Sequence, residues 1–259
     1  NSNKVVIGYR NVGDNRHGYA IVGTVSGTSI SFGSVVQFEA NTAAYLGNVF
    51  DSNANKFVIG YADGGDSNYA TLIEATVSGT SVSFGSSTRA NASVLSVDSA
   101  SLAFDSNAKK VLMTYRDDTN TKGRSVLYQT GYSSATGGTI ADGKAVIVNA
   151  NGTVSSVGET AASVGTAVVY ESASTGEQKA AFDSTNNKIV INYRDVGNSS
   201  YGTAVVGTVS GDSISFGTPV VFESSATDYN DIVFDSSTGK VVVIFSTSAT
   251  GQARVGTVS

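Results

Sequence analysis

The apolar positions of this chain come in short, repeated runs. Val241-Val242-Val243-Ile244-Phe245 is apolar throughout and Ile189-Val190-Ile191-Asn192-Tyr193 is nearly so. A half-exposed strand would alternate cleanly, so runs of this length predict strands covered on both faces. Each run follows a cluster of turn formers. In Phe234-Asp235-Ser236-Ser237-Thr238-Gly239-Lys240 the phenylalanine closes one strand, Asp235 to Gly239 reverse the backbone, and the lysine opens the next strand. The same hairpin recurs at Phe50-Asp51-Ser52 with Lys56, at Phe104-Asp105-Ser106 with Lys110 and at Phe182-Asp183-Ser184 with Lys188. Asn1-Ser2-Asn3-Lys4-Val5-Val6 matches the unit from inside the turn onward.

The lysines give a period of about 52 to 54 residues, with one longer copy. Superposing the copies predicts four strands per repeat, here A to D. In the first copy B is 4–10, C is 19–25, Ser26-Gly27-Thr28-Ser29 is a tight turn, and D is 30–39, broken at Gly33 by a bulge or a close backbone contact. Strand A of the next copy is 45–50. The third copy is the long one, and two segments compete for its strand D: Thr139 to Val146, and Val168-Val169-Tyr170-Glu171-Ser172. An insertion of roughly two dozen residues is expected within 117–165, folded as an extra hairpin turning at Asn151-Gly152.

Small four-stranded sheets cannot bury both faces alone, and stacking them radially does so while limiting exposed edges. The expected fold is therefore all-β: a single domain over 1–259, a β-propeller of four-stranded antiparallel blades, about five in number or a piece excised from a larger ring. A β-solenoid is the alternative, disfavoured by the long period. The tryptophan of kelch and WD40 signatures is absent. The motifs Phe-Asp-Ser-x-x-x-Lys-Val-Val-Ile-x-Tyr-Arg-Asp and Gly-Thr-Val-Ser-Gly-x-Ser-Ile-Ser-Phe-Gly resemble tandem-repeat β-propellers of the type found in environmental bacterial and phage surface proteins. That resemblance covers almost the whole chain. It implies an extracellular or virion-surface location, such as a viral tail fibre, and an adhesive role within a larger assembly, with oligomerisation open.

Composition narrows the partners. The chain has a formal net charge of −5, no Cys, no Trp and a single Pro. No basic patch is available to neutralise phosphates, which argues against nucleic acid. No apolar run approaches the roughly 20 residues of a membrane span, so no membrane insertion is expected. Without cysteine there are no disulfides and no thiolate chemistry. His17 is the one histidine, and no cofactor or metal site is expected.

Candidate chemistry gathers at the ends of strand B. Tyr9-Arg10, Tyr115-Arg116-Asp117 and Tyr193-Arg194-Asp195 recur there, facing Glu39, Glu171 and Glu223 at the ends of strand D. Two readings stand. Each Arg is a strut held by a Glu or by loop carbonyls, locking neighbouring sheets; or the loops form a ring of shallow pockets in which Tyr offers an apolar face and Arg and Asp offer planar hydrogen bonding to sugars or carboxylates. On the second reading the protein is a non-enzymatic binding or adhesion module for glycans or a cell-surface receptor. A glycoside-active enzyme would instead place isolated carboxylates at the starts of strand A, and Asp98, Glu177, Asp228 and Asp231 stand there. A purely structural spacer is the third possibility. Asp51, Asp105, Asp183 and Asp235 are expected to be turn residues only.

Overall fold

A computed structural model describes residues 3–94, 100–136, 146–148, 154–248 and 250–258. Its described residues are all-β and antiparallel, apart from the short 3-10 turn Val196–Asn198. No helix among them is long and apolar enough to cross a membrane. The first unit is β1 (Lys4–Asn11), β2 (His17–Ser26), β3 (Ser29–Phe32) and β4 (Val36–Glu39), with β3 and β4 both paired to β2. The second is β5 (Ala43–Asp51), β6 (Lys56–Asp63), β7 (Tyr69–Ser78), β8 (Ser81–Phe84) and β9 (Thr88–Val94), in the same arrangement. Strand D is thus split in two, at Gly33 in the first unit. A Cβ on Gly33 would stand 1.9 Å from the carbonyl oxygen of Thr80, in the C–D turn of the next unit, so only glycine fits this backbone approach.

The third unit begins with β10 (Ser101–Asp105), β11 (Lys110–Asp117) and β12 (Lys122–Gln129). Its C–D turn is replaced by a separate three-stranded sheet of β13 (Tyr132–Thr136), β14 (Val146–Val148) and β15 (Val154–Thr160), in the order β13-β15-β14. The insertion is therefore three strands rather than one hairpin. Asn151-Gly152 lies outside the described residues, between the paired strands β14 and β15. Strand D is then β16 (Ser163–Val164) followed by the start of β17 (Val168–Asp183), with Arg124 opposite Val169. This settles the competition in favour of Val168 to Ser172, since Val146 pairs with Ser156 of the inserted sheet.

Strand β17 does not end there. It runs on as strand A of the fourth unit, pairing with β18 (Lys188–Asp195), which is followed by β19 (Tyr201–Ser210), β20 (Ser213–Phe216) and β21 (Val220–Ala226). The fifth unit is β22 (Asp228–Asp235), β23 (Lys240–Thr247) and β24 (Thr250–Gly256).

The A–B turns follow one design. Asp51 Oδ1 accepts from the amides of Asn53 (2.8 Å) and Ala54 (3.0 Å), and Asp105 and Asp183 make the same pair of bonds. Asn55, Lys109, Asn187 and Gly239 supply the left-handed residue that completes the reversal. The hydroxyls of Ser237 and Thr238 and the Ser237 amide hold Asp235 at about 2, below the usual carboxylate range.

Each unit packs on the next through one apolar seam. Val6 and Val22 meet Ile59, Tyr61 and Ile73; Val58 and Leu72 meet Val111, Met113 and Tyr115; Leu112 and Leu127 meet Ile189, Ile191 and Tyr193; Val190 meets Val241, Val243 and Phe245. Strand B therefore presents one face to each neighbour, and β6, β11 and β18 are buried along nearly their whole length, as continuous apolar runs require. The two outer units differ. Val5, Ile7, Ile30 and Phe32 on the first, and Val233, Ile244 and Val255 on the fifth, are exposed, no sheet covering those faces among the described residues. The described residues close no ring.

Candidate functional site

The longer B–C and D–A connections gather at one end of the sheets, where the repeated Tyr-Arg-Asp residues lie. Tyr115 and Tyr193 are fully buried there, and Asp117 and Asp195 nearly so. Tyr193 donates its hydroxyl to Glu171 of the preceding unit at 3.1 Å, and Tyr61 donates to Glu39 at 3.2 Å. Burial, and then the charge of that Glu, pushes each phenol well above its ordinary range. Burial likewise raises Asp63 and Asp195, with the same glutamates adding to the effect. The tyrosine and aspartate of the motif thus belong to the seams. Their faces are not presented to solvent.

The arginines do not meet Glu171 and Glu223, though Arg116 reaches a main-chain carbonyl, the other partner expected of a strut. Arg116 donates to Asp118 (3.0 Å) and to the Thr175 carbonyl (3.4 Å), while Glu171 accepts from Tyr193 and from the Ala173 amide (2.8 Å). Arg194 reaches Asp228, the first residue of β22, and lies 3.9 Å from Glu177, and Glu223 pairs with Arg254 at 2.8 Å. The reason is direction. A side chain at the end of strand B points toward strand A of the following unit, not back along strand D. In the second unit Ala62 replaces the arginine, and Arg89, in the place of the glutamate, forms a two-pronged pair with Asp66 and covers the Tyr69 ring at 4.4 Å. In the first unit Arg10 is exposed, and Tyr9 stacks on Tyr19 with centroids 6.0 Å apart.

The starts of strand A hold the feature that sequence reasoning missed. Tyr45, Glu177 and Tyr229 all have left-handed backbone, with φ of 56°, 52° and 57°, inside register shifts at Ala44/Gly47, Gly176/Lys179 and Asp228/Asp231. A bulge of this kind costs a non-glycine residue on the order of 1–2 kcal/mol and re-aims its side chain. Tyr229 is 84% exposed, whereas Tyr45 and Glu177 are partly covered. A signal was present: Tyr45, Glu177 and Tyr229 stand at equal distance before the phenylalanine of Phe-Asp-Ser.

Two of the proposed carboxylates converge at the fourth bulge. Glu177 and Asp228 flank Arg194, and Glu177 also accepts from the Asn230 amide at 3.3 Å. Asp231 is exposed and accepts from the neighbouring Ile232 amide, and Asp98 lies outside the described residues. Behind the ion cluster, Asn230 and Asn192 are buried in the seam between the fourth and fifth units, two residues from the core side chains Ile232 and Val190. Among the described residues neither side-chain amide finds a hydrogen-bond partner, nor does Arg194 Nε. Buried polar groups are ordinarily satisfied, and these lie in the seam out of reach of solvent. On the exposed face of the fifth unit an open depression of about 500 Å³ is lined by Tyr229, Ile244, Ser246 and Ala253 among others. Among the described residues no three His, Cys, Asp or Glu side chains are placed to hold a metal ion.

No protein-family model and no curated protein matches the chain.

Proposed function

We propose that the five units are blades of a β-propeller and that the protein is a non-enzymatic binding or adhesion module, recognising glycans at a cell surface from an extracellular or virion-borne position. Sheets of one design, stacked in chain order through equivalent seams, support the propeller. The observation that carries the binding reading is the partly exposed cluster of Arg194, Asp228 and Glu177, with the exposed Tyr229 following Asp228 in the chain. A guanidinium with two carboxylates offers planar hydrogen bonds to sugar hydroxyls, and the exposed Tyr229 ring offers a face for stacking. A second reading, a glycoside-active enzyme, has one observation in its favour, the meeting of Glu177 and Asp228 at a single arginine. A glycan array run beside a hydrolysis screen separates the two. Retention without cleavage, lost in Tyr229→Ala, supports the binding module; cleavage without stable retention supports the enzyme; silence in both leaves a structural spacer.

A further inference from the structure

One residue in the seam between the second and third units breaks the apolar pattern. Glu74 stands opposite Val58, on the face that meets the third unit. The same position is Val22, Leu127, Val206 and Val255 in the other units, opposite Val6, Leu112, Val190 and Val242. The Glu74 side chain is 14% exposed. A carboxylate taken out of water in this way is costly unless its oxygens are filled.

Both oxygens are filled, and the groups that fill them lead to one place. Oε2 accepts from Lys56 Nζ at 2.6 Å, and Oε1 accepts from the Tyr128 hydroxyl and the Gly131 amide, each at 2.8 Å. Lys56 closes the circuit by donating to the Gly131 carbonyl at 2.7 Å. The amide and the carbonyl of Gly131 are thus both held by side chains of the second unit. Two of these partners depart from the repeat as Glu74 does. Tyr128 occupies a position that is Gly23, Ala75, Gly207 and Gly256 elsewhere. Burial, and then its bond to Glu74, raise its phenol above the ordinary range and keep it a donor. Lys4, Lys188 and Lys240 donate to Thr24, Thr208 and Thr257 of their own units, whereas Lys56 turns to Glu74 and the next unit.

Gly131 is the root of the inserted sheet. It immediately precedes β13, and a Cβ on it would stand 3.2 Å from the Ala162 amide nitrogen and 3.3 Å from the Thr160 carbonyl oxygen. The outgoing and returning chains therefore touch here. Beyond this point β13, β14 and β15 pair with one another and, among the described residues, with no other strand. A small sheet on a two-chain stem pivots at the stem unless something grips it, since a few residues suffice to absorb a hinge motion.

We propose that Glu74 and Lys56 form a latch that fixes the attitude of the inserted sheet. Latched, the sheet is carried as a rigid arm; with either residue removed, it swings about Gly131. The latch is separable from the seam that contains it. An apolar side chain at position 74 replaces a buried ion pair at little cost to packing, as the other units show, but it cannot reach Gly131.

The test is a distance measurement in the 259-residue chain, which has no cysteine, so two introduced ones carry the only spin labels. Ser83→Cys on the second unit and Val148→Cys on the inserted sheet are both at exposed positions. Pulsed electron paramagnetic resonance should give one narrow distance distribution. Glu74→Val and, independently, Lys56→Met should each widen it at least about twofold. Lys56→Met leaves Glu74 and its Tyr128 bond in place, so the test stays decisive if Glu74→Val does not fold. Tyr128→Phe gives up a bond to Glu74 but none to Gly131 and should leave the width unchanged. A control pair across the seam, Ser83→Cys with Ser106→Cys, should keep its width in every variant. A distribution already broad in the parent protein overturns the proposal, as does an unchanged width in Lys56→Met. Equal broadening at the control pair would show that the residues hold the seam rather than the insertion, and overturns it too.

Discussion

Tyr193 and Glu171 lie in different units, and the 3.1 Å hydrogen bond between them joins the end of one sheet to the start of the next. The phenol is fully buried and its acceptor is a carboxylate, so the bond is charge-assisted and shielded from water. Tyr61 and Glu39 repeat the arrangement at 3.2 Å. Replacing Tyr193 by Phe removes only the donor and leaves Glu171 short of a partner. The expected loss is about 1.5 to 3 kcal/mol in urea unfolding, against less than about 0.5 kcal/mol for Tyr9→Phe. Equal losses at the two positions would show that the seam does not depend on this bond.

The seam carboxylates and the turn carboxylate respond to pH in opposite directions. Asp63 and Asp195 are raised in the fold, so the native state holds their protons more tightly than the unfolded chain does. Their contribution is present below the unfolded carboxylate value of about 3.9 and is lost as pH rises through the folded value. Asp235 is lowered to about 2, so its contribution is present above about 3.9 and is lost as pH falls toward 2. Thermal melts from pH 2.5 to 7 should therefore show a shallower fall of Tm above pH 4 in Asp63→Asn and Asp195→Asn, and a weaker dependence below pH 4 in Asp235→Asn. Profiles parallel to the parent protein would contradict both assignments.

Two glycines at equivalent bulges form a matched pair. A Cβ on Gly33 meets the Thr80 carbonyl at 1.9 Å, whereas a Cβ on Gly85 meets nothing within 4 Å, because the third unit has the inserted sheet where its C–D turn would be. Gly33→Ala must displace backbone and should cost about 1–3 kcal/mol, while Gly85→Ala should stay within about 0.5 kcal/mol. Chemical denaturation of the two single variants measures the difference, and a neutral Gly33→Ala would refute the close approach.

Much of this organisation is written in the chain. The Phe-Asp-Ser hairpins, the lysine period and the apolar runs locate the repeated strands, since turn chemistry and two-sided burial each leave a local mark. The partners of Arg116 and Arg194 leave none. Pairing them with Glu171 and Glu223 assumed that side chains close in chain alignment meet in space, whereas the offset between sheets carries Arg194 to Asp228 instead. The third strand of the insertion was missed for a related reason: Tyr132–Thr136 pairs with Tyr132 opposite Thr160, across the whole intervening segment, and no turn signal announces such a pairing.

The ion cluster around Arg194 separates binding from stability. Its guanidinium and Asp228 are both partly exposed, so water screens the pair and Arg194→Ala should cost no more than about 1 kcal/mol. Tyr229→Ala should be near neutral for stability, since the ring is exposed and alanine keeps the Cβ that strains the left-handed backbone. Both substitutions should reduce retention on a glycan array by at least about tenfold, and Arg116→Ala should reduce it less, since its partners are Asp118 and a main-chain carbonyl. Lowered Tm with retention unchanged would refute the site at Arg194.

The unbroken course of β17 from the third unit into the fourth has a mechanical meaning. Lys122 faces Ser174 on one side of the strand, and the very next residue, Thr175, faces Asp195 on the other. At the other seams the sheets are joined by side chains and a connecting segment, and they can peel apart a row at a time. Here the two sheets share a beam: pulling one away from the other loads rows of main-chain hydrogen bonds in shear. The third and fourth units should yield to force as one body and exchange their amide protons as one cooperative block, with the first and fifth units giving way before them.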